Sequence, residues 1–150
     1  VIIGGSIMLG KIFLCKDANT QNADILIVNP VVVQMVPFVP STPSFKIVGC
    51  IAVEDAKKTE YSILVVLKDN NDKVVGSFDG QVVSSGSADE IVEWKTNIVF
   101  NLSLDDTQIY SEGLHVFELY VDELFVDSTS FLVMLDRERQ QSMEVGYREE

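Results

Sequence analysis

Histidine occurs once in the 150 residues, at His115, tryptophan once, at Trp94, and cysteine twice, at Cys15 and Cys50. A site built from several histidines is therefore out of reach, and so is the dense disulfide framework of small secreted domains. Basic residues are also scarce: 11 Lys and Arg stand against 23 Asp and Glu, a net charge of −12. Such a surface repels phosphate backbones and anionic lipid, which argues against nucleic acid and membrane as partners and leaves basic protein surfaces open. No apolar run approaches the ~20 residues of a membrane-spanning helix. The longest candidate, residues 25–39, is interrupted by Asn29, Pro30 and Gln34. The N-terminus is apolar but short, with no basic residue before Lys11. It lacks the charged start and long apolar stretch of a secretion signal, so a cytoplasmic chain with free, buried thiols is expected. A single bridge between strands is the alternative for a secreted chain. Gly4-Gly5 is not followed by the Lys-Ser/Thr of a phosphate-cradling loop.

What the chain does have is β-strand grammar. Hydrophobic residues make up 47%, enough to fill the core of one domain without staples. Residues 113–134 carry the clearest signal: two runs rich in aromatic and branched residues meet at Asp122-Glu123, which reads as a β-hairpin. Along its first half His115, Phe117, Leu119 and Val121 alternate with Leu114, Val116, Glu118 and Tyr120. The first set is the more apolar and is expected to face the core. Upstream, about eight short strands in all are separated by turn signals, the pattern of a sandwich or barrel. They cover residues 9–15, 25–28 with 31–36, 45–53, 61–67, 74–83 and 91–104, besides the hairpin. The polar stretches 16–24, 54–60, 68–73, 84–87 and 105–112 are expected to connect them. The expected fold is all-β: an antiparallel two-sheet β-sandwich over residues 9–134, immunoglobulin-like or similar. Residues 1–8 are expected to be an extension outside the domain, and 135–150 a polar tail, frayed helix or disordered.

The order of runs resembles a family of small bacterial β-sandwich proteins known only as a domain of unknown function. The resemblance rests on Phe13-Leu14-Cys15-Lys16-Asp17-Ala18, on the strand and turn from Tyr61 to Val75, and on Gly113, Phe117, Leu119, Val121 and Asp122. It implies the fold and brings no catalytic residues. The family pattern has Gly after the turn aspartate, whereas this chain has Glu123. An Asp-Gly pair suits a type I′ turn because both central residues need positive φ. Glu123 therefore points to a longer or bulged connection.

Candidate chemistry is sparse. His115 lies mid-strand on the presumed core face, without a motif that would make it a general base. Asp69, Asn71 and Asp72 offer oxygens for calcium, yet Lys73 occupies a ligand position and no glycine makes the sharp turn, so a hairpin turn is the simpler reading. Asp79, and Asp105-Asp106 with Glu112, could add oxygens only from the same end of the domain. Asp122, Glu123 and Asp127 read as solvated surface. Phe38 and Val39, between Pro37 and Pro40, put apolar side chains on a loop, where they tend to mark contacts. Trp94, flanked by Glu93 and Lys95, could anchor a partner or stack on a sugar. The expected function is a non-enzymatic interaction module without a cofactor. It would self-associate, as a homo-oligomer through a strand edge, or bind a protein partner through Phe38, Val39 and Trp94. The alternative is a module binding calcium or carbohydrate at the loop end of the sandwich.

Overall fold

A computed structural model describes residues 2–3, 6–21, 24–53, 60–83, 96–104 and 107–137. They form ten strands: β1 (Ile2–Ile3), β2 (Ser6–Gln21), β3 (Asp24–Pro30), β4 (Val33–Val36), β5 (Lys46–Val53), β6 (Glu60–Lys68), β7 (Val74–Val83), β8 (Thr96–Ser103), β9 (Gly113–Val121) and β10 (Leu124–Leu135). Two five-stranded sheets result. One runs β1-β2-β5-β8, with β3 also paired to β2, and the other runs β4-β10-β9-β6-β7. The all-β sandwich expected from the sequence is the observed architecture. Among the described residues no helix is long and apolar enough to cross a membrane.

Alternation builds the core. Tyr61, Ile63, Val65 and Leu67 on β6, and His115, Phe117, Leu119 and Val121 on β9, are all buried. All but His115 share one apolar cluster with Ile47, Ile51 and Val53 of β5 and Ile12 and Leu14 of β2. Phe45, Phe117 and Phe131 form its aromatic centre, with ring centroids 5.5 to 6.0 Å apart. Opposed aromatics hold sheets together through area and through ring geometry. At one margin Asp127 of β10 reaches across the sandwich, and Ile12 N donates to its Oδ2 at 3.0 Å. Beside it the Val126 side chain packs close over Gly10 of β2, where an added Cβ would lie 2.4 Å from Val126 Cγ1.

Several expectations need correction. The second sheet is mixed rather than wholly antiparallel: β4 runs parallel to β10, pairing Val33 with Leu132 and Val36 with Leu135. The chain between β4 and β10 crosses the molecule, so the two strands need not alternate in direction as hairpin neighbours do. The polar stretch after Cys15 is strand rather than connector. Residues 17–21 pair with β3, and Lys46 holds Asp17 at 3.0 Å; ladder pairing supplies what apolar burial does not. The N-terminal residues take part in the sheet, since Ile2 pairs with Ile7, and Met8 pairs with Val53 and is buried. The hairpin connection is tight: Asp122 and Glu123 both have positive φ, 48° and 70°, and Val121 pairs directly with Leu124. The irregularity comes two residues later, as a bulge between Phe125 and Asp127. The C-terminal tail beyond residue 137 lies outside the described residues.

Candidate functional site

The turn between β6 and β7 was the sequence's metal candidate. Asp69 Oδ1 accepts hydrogen bonds from Asn71 N at 2.9 Å and Lys73 N at 3.0 Å. Asp69 N in turn donates to Lys73 O at 3.0 Å. The bond from Lys73, together with that from Asn71, holds the Asp69 carboxyl below its ordinary range. Its oxygen thus works as a clamp on the turn. Asp72 sits at φ 61°, a conformation aspartate tolerates, and lies 3.6 Å from Lys68. Lys68 also pairs with Glu118 at 2.8 Å. Among the described residues no group of three or more His, Cys, Asp and Glu could hold a metal ion.

His115 is fully buried. Its Nδ1 lies 2.9 Å from Gly113 O, and its ring packs 5.5 Å from Phe131. It is packed as a buried residue between β9 and β10. Both cysteines are free: Cys15 is buried, and Cys50 is half-buried. They lie on neighbouring strands, paired with Lys46 and Lys11 respectively rather than with each other. Burial pushes both thiols up, which makes them poor nucleophiles.

The proline-rich loop separates the two residues the sequence grouped. Phe38 is 53% exposed. Val39 is partly buried and packs against the core. The loop is anchored where Ser41 and Ile109 exchange backbone bonds of 3.0 and 2.7 Å. Between loop and strand lies a groove of about 510 Å³, whose lining includes Met35, Phe38, Pro40, Thr42 and Gln108. Trp94 lies outside the described residues.

Residues that the sequence reading passed over make a second apolar feature, beside the Phe38 groove. On the outer face of the second sheet Leu132 pairs with Val33 on one side and Leu114 on the other, and Met134 pairs with Met35. All five side chains are exposed, Leu114 by 52% and Leu132, the least, by 37%. Register therefore assembles one apolar strip across β4, β10 and β9. Met35 belongs both to this strip and to the groove beside Phe38, which joins the two. The edge of β4 is pinned below them: Gln34 Nε2 donates to Met35 O at 2.9 Å, and its Oε1 accepts from Lys16. A signal for the strip was present. Phe131-Leu132-Val133-Met134 and Val31-Val32-Val33 are apolar at successive positions, and a strand with one wet face should alternate instead.

A family model described as "Family of unknown function (DUF6941)" matches residues 11–134. None of the curated proteins matches the sequence. Among solved structures, a β-glucosidase variant from Listeria innocua is similar at TM-score 0.50 and 12% identity, over 86% of this chain and 16% of that one. An immunoglobulin-like protein from Pseudomonas aeruginosa is similar at TM-score 0.40 and 11% identity, over 89% of this chain and 94% of that one. At such identities the likeness concerns the fold alone. This chain corresponds to a small part of the glucosidase's length.

Proposed function

Because this chain belongs to DUF6941, a family of unknown function that hands down no activity, we propose from its surfaces that it is a non-enzymatic interaction module. It binds a protein partner through the apolar strip on β4, β10 and β9 and the adjoining groove at Phe38. One observation carries this reading: Val33, Met35, Leu114, Leu132 and Met134 lie in register on three adjacent strands and are all exposed. Apolar side chains exposed singly are ordinary, whereas a contiguous patch is costly in water and marks a contact surface. The partner fits with an apolar ridge flanked by basic residues, because the chain's net charge of −12 steers cations toward it. Asp69 already spends its carboxylate on backbone N–H groups, which favours this reading over a calcium module.

The test is a photo-crosslinking residue placed at Met35 in the full chain, with Lys11, exposed on β2 of the other sheet, as the control position. The expected result is one dominant adduct from source-cell lysate at Met35, absent at Lys11 and lost on Leu132→Lys. Equal labelling at both positions, or an adduct that survives Leu132→Lys, would sink the proposal.

A further inference from the structure

The chain holds four methionines. Met8 is 3% exposed and belongs to the core, and Met143 lies outside the described residues. Met35 and Met134 are different: they are 46% and 42% exposed, and register sets them directly opposite each other on β4 and β10. Adjacent strands lie about 4.8 Å apart, so the two thioethers are neighbours on the outer face. They form the row of the apolar strip that adjoins the Phe38 groove, which Met35 also lines.

A thioether needs no ionisation to react. Its sulfur lone pair attacks an oxygen of hydrogen peroxide, the O–O bond breaks, and one sulfoxide and one water result. The sulfur loses two electrons and the peroxide gains them. The product is a polar side chain where an apolar one stood, and sulfoxide reductases reverse the step. The thiols compete poorly for such an oxidant. Burial pushes both Cys15 and Cys50 up, which leaves little of the reactive thiolate. The strand around the pair is insulated from the change. Leu132 N donates to Val32 O and Asp136 N to Val36 O, both at 2.8 Å, on either side of the pair. Gln34 Nε2 holds Met35 O between them. Oxidation therefore alters the surface and leaves the ladder intact.

We propose that Met35 and Met134 are a paired oxidation site that switches the apolar strip. Sulfoxides on both block association with the protein partner, and their reduction restores it. The inference rests on the reading of the strip as a contact surface, and the oxidant acts on the free chain, where both side chains are accessible.

The test uses the full chain with a photo-crosslinking residue at Val33, another exposed member of the strip. Three samples are incubated with desalted source-cell lysate: untreated chain, chain treated with hydrogen peroxide that is then removed, and treated chain repaired by methionine sulfoxide reductases for both epimers. Peptide mass spectrometry should find one oxygen on Met35 and one on Met134 ahead of any on Met8, with the thermal melt unchanged. Adduct yield should fall by about tenfold or more after peroxide and return on repair. The double variant Met35→Leu, Met134→Leu should keep its adduct through peroxide. No adduct from the untreated chain defeats the contact-surface reading, and this inference with it. An adduct that forms in the untreated chain and survives peroxide overturns this inference alone. So does Met8 oxidising as fast as the pair, an oxidised chain that melts early, an adduct that repair does not restore, or one that peroxide also removes from the double leucine variant.

Discussion

Gly49 and Asp69 each do something no other residue type at their positions would do as well. Gly49 pairs with Phe100 across β5 and β8, and the Phe100 ring lies over it: a Cβ there would stand 2.1 Å from Phe100 Cζ. Gly49→Ala must displace a buried ring, so a loss of about 1–3 kcal/mol is expected in urea denaturation. Pairing it with Phe100→Leu should recover part of that loss, because the clash partner is gone. Asp69 titrates below its ordinary value because backbone N–H groups bond its ionised form. Its contribution is therefore fully present above the ordinary carboxylate range and drains away as pH falls through the depressed value. Unfolding titrations across that acid window should show a shallower pH dependence for Asp69→Asn than for the wild type. Neither role is readable from the sequence. Gly49 appears there only as a glycine in a strand, and Asp69 as one oxygen donor among several.

The hairpin β9–β10 shows how an element can be legible while its joint is not. Alternation placed His115, Phe117, Leu119 and Val121 on the core side, and all four are buried. The connection was misjudged, since Glu123 occupies a left-handed conformation usually left to glycine or asparagine. Two features offset that strain. Asp122 Oδ1 accepts from Ser62 N at 2.9 Å, and Asp122 N donates to Ser62 O at 2.9 Å, so β6 grips the turn from the side. The price of the non-glycine residue remains, and Glu123→Gly should raise stability by about 0.5–1 kcal/mol in equilibrium unfolding. A drop instead would mean that the Glu123 side chain stabilises the turn. The strand boundaries that failed, at Ser6 and at 16–21, failed for one reason. Residues join a ladder when a neighbouring strand offers its backbone, and those neighbours, β1 for Ser6 and β3 for residues 17–21, are placed by the fold.

Across the whole molecule, the second sheet separates packing from recognition along a single strand. Phe131 and Leu132 are adjacent on β10 and point to opposite faces. Phe131 is 1% exposed and touches Phe45, Phe117 and His115. Phe131→Ala is expected to cost about 3–5 kcal/mol. Leu132→Lys should stay within about 0.5 kcal/mol of the wild type while abolishing the crosslink at Met35. Thermal melts of the two variants check the first half of this contrast. A Leu132→Lys chain that melts as early as Phe131→Ala would mean that the strip is part of the fold rather than a contact surface.

The sequence by itself determined the class of fold, the core-facing set on β9, and the net charge of −12. These depend on period-two alternation and on composition, which are local or additive properties of the chain. It also marked Phe38 as an exposed apolar side chain. Only the tertiary structure decided that β4 lies parallel to β10, and so that Val33 and Met35 stand beside Leu132 and Met134. Residues a hundred positions apart share a face because strand order and register are set by the joint packing of both sheets, and no local pattern encodes that choice.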